Sequence, residues 1–309
     1  MAIGSALLYT TMAVTQVVLT RQSVAKTAAV AVSAVASGPA AVRPSTCGPR
    51  VLIIIPAFNE RHSVGNVVRG LRRLEPDYDV LVIDDGSTDD TVNQVPGDVA
   101  VVSLPFNLGI GGAMQTGYRY AALHGYDIAV QVDGDGQHRP SEVHKLVHEL
   151  QRAGADMVVG SRFHRPTKFR QSITRMTGIR VLSTWTRILC GLSITDCTSG
   201  FRAANQKVIR AFAHWYPEDY PEPEVILLLH RSGFKVVETA ARMRRRMYGK
   251  TSISLVHGLW YVAKVGACLA LDMIRQPWPR EKVAPETLPA VESWPAARVG
   301  RPAAQGDRS

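Results

Sequence analysis

The stretch IAVQVDGDGQHRP, residues 128–140, leads from an apolar run directly into a cluster of acidic and turn-forming residues. Residues 128–132 are typical of a buried strand, and Asp133 and Asp135 follow it one residue apart. Two glycines, a glutamine, a histidine and a proline accompany them. These aspartates are compatible with a solvated turn, with a calcium loop, or with a metal site that receives an anionic substrate. The rest of the sequence has to distinguish these three interpretations.

The chain around this stretch alternates between strand and helix patterns. Apolar runs typical of strands buried on both faces occur at residues 51–55, 80–83, 99–104, 128–132 and 157–159. Helices are predicted at residues 63–74, 113–124 and 141–152. This order predicts an α/β fold with a mostly parallel central sheet flanked by helices. Ligands of such sheets bind at the carboxyl ends of the strands.

Four polar segments follow four of the predicted strands. They are PAFNE at residues 56–60, DDGSTD at 84–89, NLGIGG at 107–112, and the opening stretch. Each segment alone is compatible with an ordinary turn, because Asn, Asp, Gly and Pro are turn residues. Together they bring more carboxylates to one edge than turns require, and such clustering is unfavourable unless a cation or sugar hydroxyls share the site. We therefore predict a ligand site at this edge.

Spacing excludes several familiar sites. An EF-hand that began at Asp133 would need Gly and Glu where the chain has His138 and His144. The third glycine of a dinucleotide fingerprint would fall on Met114, and no GxxxxGK[ST] phosphate loop is present. What remains is a nucleotide site that uses carboxylates and a divalent cation.

The two aspartates of the opening stretch suit such a cation. Mg²⁺ and Mn²⁺ prefer oxygen ligands and commonly bridge carboxylates and substrate phosphates. Asp133 and Asp135 lie one residue apart, so in extended backbone their side chains point to the same side. Gln137 supplies a third oxygen. The ion would neutralise a diphosphate leaving group.

The composition indicates an acidic partner and a reducing compartment. The net charge of +10 favours nucleotides, phosphates, anionic lipids or nucleic acid, of which we do not predict nucleic acid. The four cysteines form no CxxC pair and have no metal-ligand spacing, so we expect incidental thiols.

The two ends differ from the middle of the chain. Residues 1–49 lack acidic residues, and we expect either a disordered extension or a weak membrane anchor that leaves the next domain in the cytoplasm. Residues 277–309 are rich in proline and are predicted to be a disordered tail. The folded domain is predicted to span residues 50–276.

The motifs PAFNE, DDGSTD, NLGIGGAMQTGY, VDGDGQH, GSRF and DCTSGFRA resemble those of family 2 glycosyltransferases with the GT-A fold. The similarity covers roughly residues 50–274 and is greatest to the branch of polyprenyl-phosphate (dolichol-phosphate-type) sugar synthases. It implies a metal-dependent enzyme that moves a sugar from a nucleoside-diphosphate donor with inversion at the anomeric carbon.

The resemblance also implies the residues of the site. The metal ligands are Asp133, Asp135 and Gln137, with Mg²⁺ or Mn²⁺ as the cofactor. The predicted catalytic residues are Asp196, Asp135 and Arg246. The predicted substrate-binding residues are Pro56, Phe58, Glu60, Asp84, Asp85, Gly109, Gly112, Asp133, Arg162, Arg175, Arg202 and Lys250.

The type of acceptor decides whether a base is needed. A phosphate monoester is already anionic at neutral pH and needs positioning, which Arg175, Arg246 and Lys250 could provide through charge-assisted hydrogen bonds. A sugar hydroxyl would need a carboxylate base, for which Asp196 is the first candidate. The second candidates are Glu222 and Glu224, in a segment expected to be a rigid, exposed loop.

The segment 242–274 combines basic residues with apolar residues at helical spacing. It is compatible with an amphipathic helix on a membrane surface and equally with a helix that packs on the sheet. The favoured function is transfer to polyprenyl phosphate for cell-envelope glycan or glycoconjugate synthesis, on the cytoplasmic face of the membrane. The alternatives are transfer to a saccharide hydroxyl, a nucleotidyltransferase, and a catalytically silent nucleotide-sugar binding module.

Overall fold

The strand β1, Val51–Ala57, is buried along its whole length and has neighbouring strands on both sides. The computed structural model describes residues 48–163, 184, 194–217, 221–244 and 298–299. The strands within these residues are β1 Val51–Ala57, β2 Asp79–Asp84, β3 Ala100–Ser103, β4 Ile128–Gln131, β5 Met157–Ser161, β6 Arg202–Asn205, β7 Val236–Ala240 and β8 Arg298–Val299. The described part of the chain forms one sheet from them, in the order β7-β5-β6-β4-β1-β2-β3-β8.

Helices cover both faces of this sheet. They are α1 Val64–Leu74, α2 Gly109–Leu123, α3 Val143–Arg152, α4 Gln206–His214 and α5 Pro221–Arg231, with short 3₁₀ helices at Val92–Gln94 and Pro140–Glu142. Alternate residues of β1 face opposite sides, as the pleat of a strand requires. Ile54 packs with Met114 and Tyr118 of α2, whereas Ile53 belongs to the core with Val67 of α1. Burying each such side chain stabilises the fold by roughly 2 kcal/mol.

The direction of β6 determines which segments meet at the carboxyl edge. β1 pairs in parallel with β2 and β4, and β2 pairs in parallel with β3. β6 runs antiparallel to β4 and β5, and its first residue, Arg202, pairs with Gln131 and Val159. Because β6 is reversed, the residues that precede it lie at the same edge as the residues that follow β4.

The five predicted strands and the helices predicted at 63–74, 113–124 and 141–152 are confirmed, with small shifts at their ends. The helix predicted at 113–124 begins earlier, at Gly109, because the glycines of the NLGIGG segment form its first turn. Gly117 of this helix lies against β1, where an added Cβ would come within 2.4 Å of the Cγ2 of Ile54. Glycine there permits close packing of the helix on the sheet.

The prediction of a rigid, exposed loop around Glu222 and Glu224 is wrong. This segment is the start of α5, with Pro221 as its first residue and both glutamates in its first turn. Proline is compatible with the first turn of a helix, and acidic residues there interact favourably with the helix dipole. Glu224 is buried.

The two ends of the chain are described only in part. Arg298–Val299 pairs antiparallel with β3, and the other residues of the predicted tail 277–309 lie outside the described residues. Residues 1–47 and the predicted helix after Arg244 also lie outside them. Among the described helices, every one is too short or too polar to cross a membrane.

Candidate active site

The loops after β1 and β2 are joined at the carboxyl edge by several hydrogen bonds. The backbone N–H of Asn59 donates to Ser87 Oγ, and that of Thr88 donates to Asn59 Oδ1, both at 2.9 Å. The N–H of Asp85 donates to the carbonyl of Ala57 at 2.9 Å. Asn59 itself has a φ of 55°, in the left-handed region. The PAFNE and DDGSTD segments therefore form one continuous surface.

Asp84 ends β2 at this surface and Asp85 follows it, and both are buried. Asp84 Oδ1 accepts a hydrogen bond from Ser87 N at 3.2 Å, and Asp85 Oδ1 accepts one from Leu108 N at 2.7 Å, at the start of α2. Burial raises the pKa of Asp85 to about 6 and outweighs the backbone N–H groups of Leu108 and Gly109, which lower it. The neighbouring charge of Asp84 adds to the rise.

Two large apolar side chains, Phe58 and Phe106, stay exposed at this edge, at 44% and 48%. Gly86 lies against the backbone of Phe106, where an added Cβ would come within 2.7 Å of the Phe106 carbonyl carbon. Gly86 also has a φ of 70°, so glycine suits this turn on both counts. The exposed aromatic rings offer apolar surface to a planar ligand such as a nucleotide base.

The loop after β4 holds its two aspartates in defined orientations. Asp135 accepts hydrogen bonds from the backbone N–H of Gln137 at 2.9 Å and from Gln137 Nε2 at 2.6 Å. The backbone N–H of Asp133 donates to His138 Nδ1 at 3.0 Å. Gly136 makes the turn between them with a φ of 77°.

The segment before β6 lies directly against Asp133. A Cβ added to Gly200 would lie 3.1 and 3.3 Å from the two carboxylate oxygens of Asp133 and 3.0 Å from Gln131 Nε2. Asp133, Asp135 and Gln137 carry side-chain oxygens of the kind that Mg²⁺ and Mn²⁺ bind, and these ions commonly take one or two protein carboxylates and complete their shell with waters and substrate phosphates. The described residues contain no group of three or more His, Cys, Asp or Glu side chains around one point. An ion bound here would therefore take most of its ligands from water and substrate phosphates.

Arg162 and Asp196 form a buried ion pair next to this loop. Arg162 Nε donates to Asp196 Oδ2 and Nη2 donates to Oδ1, both at 2.7 Å, and Nη2 also donates to Thr198 Oγ1 at 2.9 Å. Burial alone would lower the pKa of Arg162, but the bonds to Asp196 and the charges of Asp196 and Asp133 raise it. Asp196 is 0% exposed. In this geometry both oxygens of Asp196 hold Arg162.

Arg202 is also buried and lies between the DCTSGFR segment and α5. Its Nε donates to the carbonyl of Ser199 at 2.8 Å, and its Nη2 donates to the carbonyl of Glu222 at 2.6 Å. Burial raises the pKa of Glu222, and the positive charge of Arg202 opposes this rise. The charge of Asp133 also raises this pKa, so Glu222 is electrostatically coupled to the loop after β4.

The other predicted residues of the first loop, Pro56 and Glu60, make contacts within the protein. Pro56 is buried at the end of β1, and its carbonyl oxygen would lie 3.1 Å from a Cβ at Gly134. Glu60 Oε2 accepts a hydrogen bond from Ser63 Oγ at 2.5 Å, immediately before α1. The loops after β1 and β4 are thus in close contact.

Of the remaining predicted residues, two glycines lie in the described part of the chain and three basic residues lie outside it. Gly109 and Gly112 lie in the first turn of α2, and a Cβ on Gly112 would come within 2.5 Å of the Cβ of Leu108. Arg175, Arg246 and Lys250 lie outside the described residues, and their predicted roles stay predictions.

Sequence reasoning missed two side chains that organise this site. His138 is in none of the predicted sets of catalytic, substrate-binding or metal residues, although it is 4% exposed and accepts a hydrogen bond from Asp133 N. Glu238 of β7 accepts hydrogen bonds from the backbone N–H groups of Thr195 and Asp196 at 2.9 Å. The position of His138 within the motif was an available signal, but nothing in the sequence linked Glu238 to a segment more than forty residues earlier.

The arrangement of carboxylates at the carboxyl edge agrees with the family that the sequence matches. Residues 52–212 match the family described as Glycosyl transferase family 2. The chain belongs to this family. It is therefore a glycosyltransferase of the GT-A fold, and the predictions of family, fold and enzyme class are confirmed. Membership favours this function over a nucleotidyltransferase.

Two curated glycosyltransferases have similar sequences. The polyprenol monophosphomannose synthase of Mycolicibacterium smegmatis is 31% identical over 251 residues, which cover 77% of this chain and 93% of the synthase. The undecaprenyl-phosphate mannosyltransferase of Micrococcus luteus is 37% identical over 169 residues, which cover 52% of this chain and 69% of that protein.

A solved glycosyltransferase shares the fold. Glucosyl-3-phosphoglycerate synthase from Mycobacterium tuberculosis, solved in complex with Mn²⁺, UDP and glucosyl-3-phosphoglycerate, has a TM-score of 0.56 and 20% sequence identity. The similarity covers 73% of this chain and 80% of that chain. At this identity, the likeness supports the fold alone.

Proposed function

We propose that this glycosyltransferase moves a sugar from a nucleoside-diphosphate donor to polyprenyl phosphate, with inversion, in the synthesis of cell-envelope glycans or glycoconjugates. The observation that carries the proposal is the proximity of Gly200 to Asp133, since it joins the DCTSGFRA segment to the predicted metal ligands. The printed functions of the two relatives, a polyprenol monophosphomannose synthase and an undecaprenyl-phosphate mannosyltransferase, support this acceptor.

The donor is held along the carboxyl edge. Asp84 and Asp85 bind the base and ribose, and Phe58 provides apolar surface for the base. Asp133, Asp135 and Gln137 hold Mg²⁺ or Mn²⁺, which when bound neutralises the charge that develops on the diphosphate leaving group. Solved structures of the M. tuberculosis synthase contain UDP with Mn²⁺ or with Mg²⁺, and we propose the same two ions here.

Arg162 contributes fixed positive charge beside the metal loop. Its bidentate bonds to Asp196 hold the guanidinium in one orientation, so little reorganisation is needed as charge develops on the diphosphate. In this proposal Asp196 positions Arg162.

The acceptor phosphate needs positioning more than it needs a base, because it is anionic at neutral pH. Arg175, Arg246 and Lys250 are proposed to hold it by charge-assisted hydrogen bonds. A net charge of +10 is consistent with an enzyme that works in the cytoplasm at the anionic inner face of the cell membrane.

A panel of nucleotide-sugar donors tests the proposal, with Mg²⁺ or Mn²⁺ present and with either a short-chain polyprenyl phosphate or a monosaccharide as acceptor. We expect product with the lipid phosphate. Product formed only with sugar acceptors would contradict the lipid assignment. D133A/D135A should lose transfer, and full activity of this variant would contradict the metal assignment.

A matched control for the double variant is D77A/D98A. It removes the same number of carboxylates from exposed positions outside the metal loop. We expect this control to keep wild-type activity, which shows that the effect of D133A/D135A is not one of net charge.

Transfer to a saccharide hydroxyl is the second candidate, and Glu222 favours it because burial raises the pKa of this carboxyl, as is common for general bases. Under this alternative, E222Q should lower transfer to a hydroxyl by about 10²-fold or more. Under the lipid-phosphate proposal, E222Q should change the rate little. Rates with both acceptors separate the two.

A further inference from the structure

We propose that His138 is a positioning residue that holds Asp133 in its metal-binding orientation before the metal arrives. The inference rests on the proposed function, because it takes Asp133 as a metal ligand. It concerns a side chain that the donor, metal and acceptor assignments above do not use.

The first observation is the hydrogen bond from Asp133 to the imidazole. Val132 N donates to the carbonyl of Ile54 at 3.0 Å and is the last backbone donor of this segment that continues the sheet. The next donor, Asp133 N, bonds to His138 Nδ1 at 3.0 Å instead. A ring nitrogen that accepts cannot carry a proton, so the proton of the neutral ring lies on Nε2. His138 thus satisfies the backbone group at which the chain leaves the strand.

The second observation is that the same ring also faces the Asp133 carboxylate. His138 Nε2 lies 3.5 Å from Asp133 Oδ2, too far for a strong hydrogen bond but close enough for an attraction between the N–H dipole and the carboxylate. One imidazole therefore acts on both the backbone and the side chain of Asp133, which limits the rotamers available to that side chain.

The third observation is that the imidazole is itself held firmly. It stacks on Phe201, with ring centroids 4.8 Å apart and planes inclined by 25°. The His138 backbone pairs with Met243, and Arg244 N donates to the Gln137 carbonyl at 2.8 Å. The ring plane is thus fixed by the Gly200–Phe201 segment and the ring position by the strand-like segment after β7.

These contacts agree with a general feature of metal sites. Groups that orient metal ligands fix the position of those ligands, and their loss typically lowers metal affinity or activity about 10–100-fold. Asp133 is 37% exposed, so without such a partner its side chain would be free to turn toward solvent.

Two variants separate the hydrogen bond from the ring stacking. H138F keeps an aromatic ring for Phe201 but has no acceptor for Asp133 N. H138N places its Oδ1 where Nδ1 was and keeps the acceptor, but it has no ring. The readout is Mn²⁺ affinity in the presence of UDP, measured from the electron paramagnetic resonance signal of free Mn²⁺.

We expect H138F to weaken Mn²⁺ binding by about tenfold or more, and H138N to bind nearly as the wild type does. Equal affinity of H138F and the wild type, or equal weakening in both variants, would overturn the proposal. V147A, a cavity variant in α3 at a buried residue, is the stability control. It should lower Tm without changing Mn²⁺ affinity.

A measurement on the unmodified protein does not depend on how the variants fold. Long-range ¹H–¹⁵N NMR spectra should show an unprotonated Nδ1 for His138. A protonated Nδ1 in the neutral ring would overturn the proposal, because it could not accept from Asp133 N. If the wild type binds no Mn²⁺ with any of the nucleoside diphosphates of the donor panel, the metal assignment fails and this inference fails with it. If the wild type binds Mn²⁺ and H138F binds it equally, only this inference fails.

Discussion

Arg162 and Asp196 form a two-point ion pair that is almost completely removed from water. The Nε–Oδ2 and Nη2–Oδ1 distances are both 2.7 Å, and the side chains are 6% and 0% exposed. Thirty-four positions separate the two residues in the chain. The pair connects the end of β5 to the segment that precedes β6. It therefore joins the sheet to the segment that lies against Asp133.

Replacement of one member of this pair should strongly destabilise the protein. D196N leaves the Arg162 guanidinium buried without a counter-charge, and the expected loss is about 3–5 kcal/mol in the free energy of unfolding. Urea unfolding followed by circular dichroism measures it. E149Q is the matched control, since Glu149 pairs with Arg152 at the surface and its replacement should change stability little. A small loss for D196N would contradict the prediction.

Stability should depend on pH through Asp85. Burial raises its pKa from 3.8 to about 6, so the stability that it contributes is full below 3.8 and is lost as the pH rises through 6. The free energy of unfolding of the wild type, relative to D85N, should therefore increase as the pH falls from about 7 to 5. Urea unfolding at a series of pH values measures this difference.

D89N is the control for this experiment. Burial alone would raise the pKa of Asp89, but hydrogen bonds from Thr91 lower it, so Asp89 titrates below 3.8. The wild type and D89N should differ by a constant amount across the same range. A constant difference for D85N as well would contradict the assignment of the raised pKa.

Substitution of Gly200 should weaken metal binding more than it weakens the fold. The methyl group of G200A would meet both carboxylate oxygens of Asp133 at 3.1–3.3 Å and displace them. We expect about tenfold weaker Mn²⁺ binding with UDP present, by calorimetry, and a small change in Tm. The control is G70A in α1, whose methyl group would meet only the Pro140 side chain and should leave binding unchanged. Unaltered affinity in G200A would show that Asp133 tolerates the methyl group.

Two substitutions of Asn59 should separate backbone strain from hydrogen bonding. Asn59 has a φ of 55° and accepts a hydrogen bond from Thr88 N. N59G loses the hydrogen bond, worth about 1 kcal/mol, and keeps an easy left-handed conformation. N59A loses the bond and also adds strain of about 1 kcal/mol. Thermal unfolding should rank the wild type above N59G and N59G above N59A; the reverse order of the two variants would contradict the strain argument.

Much of the fold could be predicted because its main signals are local. The strands β1 to β5 are short runs of apolar residues between turn-forming residues, and the helices between them have apolar residues at helical spacing. Parallel strands joined by helices end at one edge, so the position of Asp84, Asp85, Asp133 and Asp135 on a common edge followed from the order of the segments. The helical start at Pro221 was missed because proline there resembled a loop signal.

The amino-acid sequence by itself determined the α/β class, the family and the identity of the acidic loops, because apolar periodicity and short motifs are properties of neighbouring residues. Only the tertiary structure decided which distant groups touch those loops. The reversal of β6 brings Gly200 to Asp133, places Phe201 under His138 and aligns Asp196 with Arg162. These contacts depend on strand direction and on close packing of the whole sheet, and no local pattern encodes either.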